Sequence, residues 1–98
     1  MTVELPPSVV QALGPLVGAL GAHQFVPTQV EHSTTFGDFS VVFARGPISF
    51  SVVRDRGQFH IAGAERAALE AAGLWRTFYG PRPIVAPLLA WLQARGTA

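Results

Sequence analysis

Apolar residues recur along this chain with two different periods, and each period predicts an element. Val9, Val10, Leu13, Leu16, Val17 and Leu20 fall at steps of three and four, which predicts one helix over Pro7–Leu20 with a single apolar face. Pro6-Pro7-Ser8 suits its N-terminus, where amides have no partner to lose, and Gly21 suits a left-handed stop. Pro15 conflicts with this reading, because it removes the bond to Gln11 and should kink the helix. Gly14 and Gly18 form a small-residue strip, read either as close packing on the protein's own sheet or as a helix contact between subunits.

The period then shortens to two. From His23 to Ser33 the alternation is poor, and Pro27 demotes the segment to an edge strand or an irregular stretch. Asp38 to Arg45 alternates Phe39, Val41 and Phe43 against Ser40, Val42 and Ala44. Ile48 to Val53 alternates Ile48, Phe50 and Val52 against Ser49, Ser51 and Val53. Gly46-Pro47 between them predicts a two-residue hairpin loop that pairs Phe43 with Phe50 and Val41 with Val52. The next turn, Arg54-Asp55-Arg56-Gly57, leads into Gln58-Phe59-His60-Ile61. Only an even loop keeps Phe59 and Ile61 on the face of Phe50 and Val52, so an even loop is expected, with Gly57 left-handed.

Helical signals return after Ala64. Glu65 to Ala72 is Ala-rich and stopped by Gly73. Leu74 to Arg82 reads as a packed connection, with Trp75 and Phe78 expected in the core. Pro83 to Arg95 predicts a last helix whose Ile84, Val85, Leu88, Leu89, Trp91 and Leu92 leave few polar positions, so burial on more than one side is expected. The architecture expected for residues 1–98 is one α+β domain. It is an antiparallel three- to four-stranded meander with an N-terminal helix and two C-terminal helices packed on one face.

Composition narrows what such a domain can do. The 98 residues are 49% hydrophobic and 13% charged, enough for one core and too apolar for a disordered chain. Seven basic residues, all arginine, nearly cancel six acidic ones, which argues against an extended footprint for nucleic acid or anionic lipid. The chain has no Cys, which removes disulfides, thiolate zinc sites and cysteine nucleophiles. It has no Lys either, and its Arg, Ala, Gly and Pro usage reflects GC-rich codons. The uncharged run Leu5–Val30 is long enough to span a membrane, but Pro6, Pro7, Pro15, Pro27, Gln11, His23 and Gln24 interrupt it. Met1-Thr2-Val3-Glu4 offers no basic start for a signal peptide, and a cytoplasmic protein without membrane contact is expected.

Candidate chemistry is sparse. His23, His32 and His60 have no second ligand at metal spacing, and Glu31-His32 in a strand would point to opposite faces. Ser33, His60 and Asp38 could be assembled as a triad only on paper, since no nucleophile elbow accompanies them. No catalytic site, metal or cofactor is expected. Arg54-Asp55-Arg56-Gly57-Gln58 is the most distinctive segment. Two guanidiniums flanking a carboxylate at a hairpin tip could recognise an acidic partner, or Asp55 could simply stabilise the turn. Trp75, Phe78 and Tyr79 with Arg76 and Arg82 form a second surface, with the composition of interface anchors and also of single-strand stacking platforms. Tyr79-Gly80-Pro81-Arg82 is its exposed rim.

The run Phe36-Gly37-Asp38-Phe39, Val41-Val42-Phe43, Arg45-Gly46 and Ser51 to Phe59 resembles a group of small uncharacterised bacterial proteins. These share a hairpin ending in an Arg-Asp-Arg-Gly-Gln-like tip, and some of them resemble immunity proteins that neutralise contact-delivered toxins. The resemblance covers about residues 36–61 and implies a protein partner rather than a substrate. The chain lacks the acidic surface that many immunity proteins turn toward basic nucleases. The expected function is therefore non-enzymatic protein contact, with self or a toxin-like protein as partner, through Arg54, Asp55, Arg56, Tyr79 and Arg82. The alternative is a small-ligand-binding or enzymatic domain with a pocket between sheet and helices, polar at His60 and Tyr79. The last helix and the aromatic connection carry more apolar residues than such a fold needs, so part of the 49% is expected to be contact surface.

Overall fold

The computed structural model describes residues 3–32 and 38–96, the last two by their backbone alone. What the apolar period reads as one N-terminal helix is two: α1 (Pro7–Leu13) and α2 (Pro15–Ala22). Gly14 separates them at φ 54° and ψ −122°, a conformation that only glycine adopts freely, while its N–H still bonds Val10 O. Pro15 thereby becomes the first residue of α2, where no amide bond is lost. The expected kink is a break, yet the apolar face continues across it through Val9, Leu13, Leu16 and Leu20, all buried.

The small-residue strip does not serve as a unit in close packing on the protein's own sheet. Gly14 lies at the break, and a Cβ at Gly18 would meet nothing within 4 Å. Gly21 sits inside α2 and does not stop it. The left-handed residue is Gln24 at φ 67°. Gln24 N–H bonds Gly21 O and Phe25 N–H bonds Leu20 O, a complete Schellman pair sealed by the buried Phe25 and Leu20.

Four strands follow: β1 (Val26–His32), β2 (Phe39–Arg45), β3 (Ile48–Asp55) and β4 (Gln58–Ala62). They form one antiparallel meander in the order β1-β2-β3-β4. Phe43 pairs with Phe50 and Val41 with Val52, as the alternation and the Gly46-Pro47 turn require. The second loop is even: Asp55 pairs with Gln58 across Arg56-Gly57, and Phe59 and Ile61 join the buried face. β1 lies at the sheet edge, where Pro27 is tolerated, and its register shifts between Pro27 and Gln29. Val3 N–H caps the Pro27 carbonyl at 2.8 Å.

Two helices complete the chain, α3 (Arg66–Ala71) and α4 (Arg82–Gly96). α3 ends as α2 does, with Gly73 at φ 75° and Leu74 N–H on Leu69 O. The class is α+β as expected, with four helices among the described residues where three were expected. The core is a single cluster between one sheet face and the helices, in which Val41, Val52, Leu13, Leu20, Leu69, Leu74 and Leu88 are all fully buried. α4 contributes Ile84, Leu88, Trp91 and Leu92 and leaves Pro83, Ala86 and Ala90 exposed, so it is not buried all round. Apart from Arg82 and Gln93, its exposed residues are apolar but small, and they leave little surface to bury. Among the described residues, the other sheet face carries no helix, and none of its side chains is buried. The molecule measures 39 × 28 × 20 Å, its short dimension that of one sheet and one helix layer. Among the described residues, no helix is long and apolar enough to cross a membrane.

Candidate functional site

The β3–β4 hairpin ends in two consecutive left-handed residues, Arg56 at φ 54° and Gly57 at φ 81°. That pair is the mirror-image turn whose twist matches a two-residue hairpin. For Arg56 the conformation costs about 1 kcal/mol or more, because its Cβ crowds the carbonyl. The structure offsets this with a bond from outside the hairpin: Arg56 N–H donates to Asp38 Oδ1 at 2.9 Å. The turn-stabilising carboxylate is thus Asp38, eighteen residues upstream, while Asp55 stands exposed beside Arg56. Sequence reasoning missed Asp38 in this role because nothing local links it to the turn.

Arg54 belongs to the opposite face. It pairs with Phe39 and Phe59 in the sheet register and is half-buried, its guanidinium 5.9 Å from the Phe59 ring. The tip therefore presents Asp55 and Arg56, not a pair of arginines around a carboxylate. Other arginines behave like Arg54. Arg45 lies 4.7 Å from the Phe25 ring and donates to His23 O, and Arg76 lies 5.0 Å from Phe78. Arg66 lies 5.0 Å from Trp75 and bridges Glu70 at 2.7 Å. Much of the arginine-plus-aromatic composition is spent internally, each guanidinium set against a ring. Among the described residues, Arg56 and Arg82 are exposed cations with no ring or carboxylate partner.

A backbone bridge joins the two surfaces that the sequence separates. Phe59 and Phe78 exchange both N–H···O=C bonds at 2.7 Å, so residue 78 lies beside β4 as a strand of one residue. Phe78 is buried, as expected. The antiparallel sense carries the next residue, Tyr79, toward the Gln58 end of the hairpin, and it is 87% exposed. Arg82 follows three residues later at the start of α4. Trp75 does not enter the core: it is 48% exposed, its ring covered by Arg66.

On the other side of the bridge the chain diverges from β4 and leaves a cleft of about 340 Å³ lined by His60, Ile61, Trp75, Arg76 and Thr77. Because Phe59 turns its N–H and C=O toward Phe78, Ile61, two residues along, turns its own toward the same open edge. The cleft contains His60 but not Tyr79, so the two polar groups expected to share a pocket are on different sides of the bridge. Among the described residues, no group of three histidines or carboxylates could hold a metal. Ser33 of the paper triad and Phe36-Gly37 of the resemblance lie outside the described residues. Compared with known protein families, curated proteins and solved structures, the chain shows no match. The resemblance to small bacterial proteins thus rests on the hairpin residues alone.

Proposed function

We propose that this chain is a non-enzymatic bacterial module that binds a protein partner through the end of the β3–β4 hairpin. The observation that carries this reading is the Phe59–Phe78 bridge. It sets an almost fully exposed tyrosine beside a buttressed turn that presents Asp55 and Arg56. Tyrosine and arginine are among the side chains that most often anchor protein contacts, and a turn held from outside presents Arg56 with its backbone already ordered. Arg82 extends the same surface. The immunity-like resemblance names the class of partner, a toxin-like protein, in a cytoplasmic setting.

The test is capture by the tagged full chain from lysate of the source cells, compared with an Asp55→Ala/Arg56→Gly/Tyr79→Ser variant. Glycine at 56 keeps the turn while removing the guanidinium. The expected result is a partner retained by the parent and lost by the variant at a melting temperature no lower than the parent's. Equal capture by both overturns the proposal.

The cleft at His60, Trp75 and Arg76 favours a second reading, a small-ligand site for a flat or anionic molecule. A thermal-shift screen against metabolites separates the two, since stabilisation lost on Trp75→Ala would favour the cleft.

A further inference from the structure

The sheet face turned away from the helices differs from an ordinary solvated face. Antiparallel sheets often leave one side to water, but such sides carry long charged residues. Here both arginines of the strands, Arg45 and Arg54, lie on the helix side of the register, and the centre of the bare face is valine, serine and alanine. The register arranges these side chains in rows. One row reads Glu31, Ser40, Val53 and His60 across β1 to β4, and the next reads Gln29, Val42, Ser51 and Ala62.

Each row is complementary to itself when reversed. A two-fold axis parallel to the strands stacks β1 on the partner's β4 and β2 on its β3, keeping every row in place. Reversal then sets Glu31 over the partner's His60 and Ser40 over its Val53. In the second row it sets Gln29 over Ala62 and Val42 over Ser51. Every position meets a residue of unlike size or unlike polarity, as interdigitating layers require. An axis across the strands would instead stack β1 on itself, and one passing through the first row would bring the two copies' Glu31 side chains together. The roughly 30° crossing of aligned sheets displaces the edge pairs by about 4 Å, within reach of Glu and His side chains.

We infer that this face binds a second copy of the chain, forming a two-fold sheet-on-sheet dimer with reciprocal Glu31–His60 contacts at its margins. This rests on the reading of the chain as a protein-contact module and leaves the hairpin end, outside both rows, open to another partner. Four strands at about 4.8 Å spacing and about six residues at 3.4 Å give a flat area of roughly 400 Å². Two such faces bury about 800 Å² in total, in the range of weak, transient contacts, so a dimer no tighter than micromolar is expected.

Sedimentation of the full chain from low to high micromolar concentration tests this, with the mass expected to rise from 10.4 kDa toward twice that value. Val42→Glu and Ser40→Arg, both on the bare face, should each weaken the dimer at least tenfold while the circular dichroism stays that of the parent. Glu31→Arg should weaken it, and Glu31→Arg/His60→Glu should restore it by setting an arginine against a glutamate in both pairs. A parent that stays monomeric at high micromolar concentration overturns the inference, as does a dimer indifferent to both face variants. A double variant no tighter than Glu31→Arg overturns the two-fold arrangement. The contact reading fails separately, by unchanged capture on the tip variant, whatever the oligomeric state.

Discussion

Among the described residues, two side chains occupy backbone conformations that usually belong to glycine, and they do so for different reasons. Gln24 closes the Schellman cap of α2, a place that Gly73 fills after α3. Gln24→Gly should therefore raise stability by about 0.5–1 kcal/mol, read as a melting temperature a few degrees higher. Arg56 sits at the exposed tip, and its strain is compensated by the Asp38 carboxylate. Asp38→Ala should cost about 1 kcal/mol and Asp38→Asn much less, because the amide oxygen still accepts the Arg56 N–H. Chemical denaturation of the three proteins checks the order. Arg56→Gly should combine gain of stability with loss of partner, the pattern expected where a strained residue is kept for what it presents.

At the scale of elements, Gly14 decides how α1 meets α2. An added Cβ there has room, its nearest contact being Pro81 Cγ at 3.6 Å, so the cost of Gly14→Ala is backbone strain, not collision. A loss of about 1–3 kcal/mol is expected, with the far-ultraviolet spectrum retained and the melting temperature several degrees lower. The strands were legible in the sequence because alternation and turn chemistry agreed: Gly46-Pro47 and Arg56-Gly57 both impose the register that buries Phe43, Phe50, Phe59 and Ile61. The helical break was not legible, since Leu13 and Leu16 keep their three-residue step across it and periodicity registers no interruption. Trp75 misled for another reason. A large ring implies core, but Arg66 covers this one at the surface. Of the site, the exposure of Tyr79, Asp55 and Arg56 could be read from turn residues nearby. Their union could not, because a one-residue bridge between Phe59 and Phe78 has no sequence period.

For the whole molecule, Phe50 ties the layers together. Its ring meets Phe25, Phe43 and Trp91 at centroid distances of 5.6, 5.9 and 6.2 Å, linking the segment before β1, the sheet and α4. Phe50→Ala should remove about 3–5 kcal/mol from a domain whose entire stability is on the order of 5–15 kcal/mol. A melting temperature more than 10 °C lower by calorimetry is expected. The ends of the sheet carry a separate consequence. At β1, Pro27 offers no donor, the register shift bends the strand, and Val3 already occupies the proline's carbonyl. At β4, the Phe78 backbone occupies Phe59. The folded chain, rich in valine and phenylalanine, thus meets its neighbours with one sheet edge capped and the other left open only beyond Phe59, which disfavours lateral polymerisation. Val3→Pro/Pro27→Thr would reopen the capped edge, and thioflavin-positive fibres at concentrations where the parent stays clear are the expected sign.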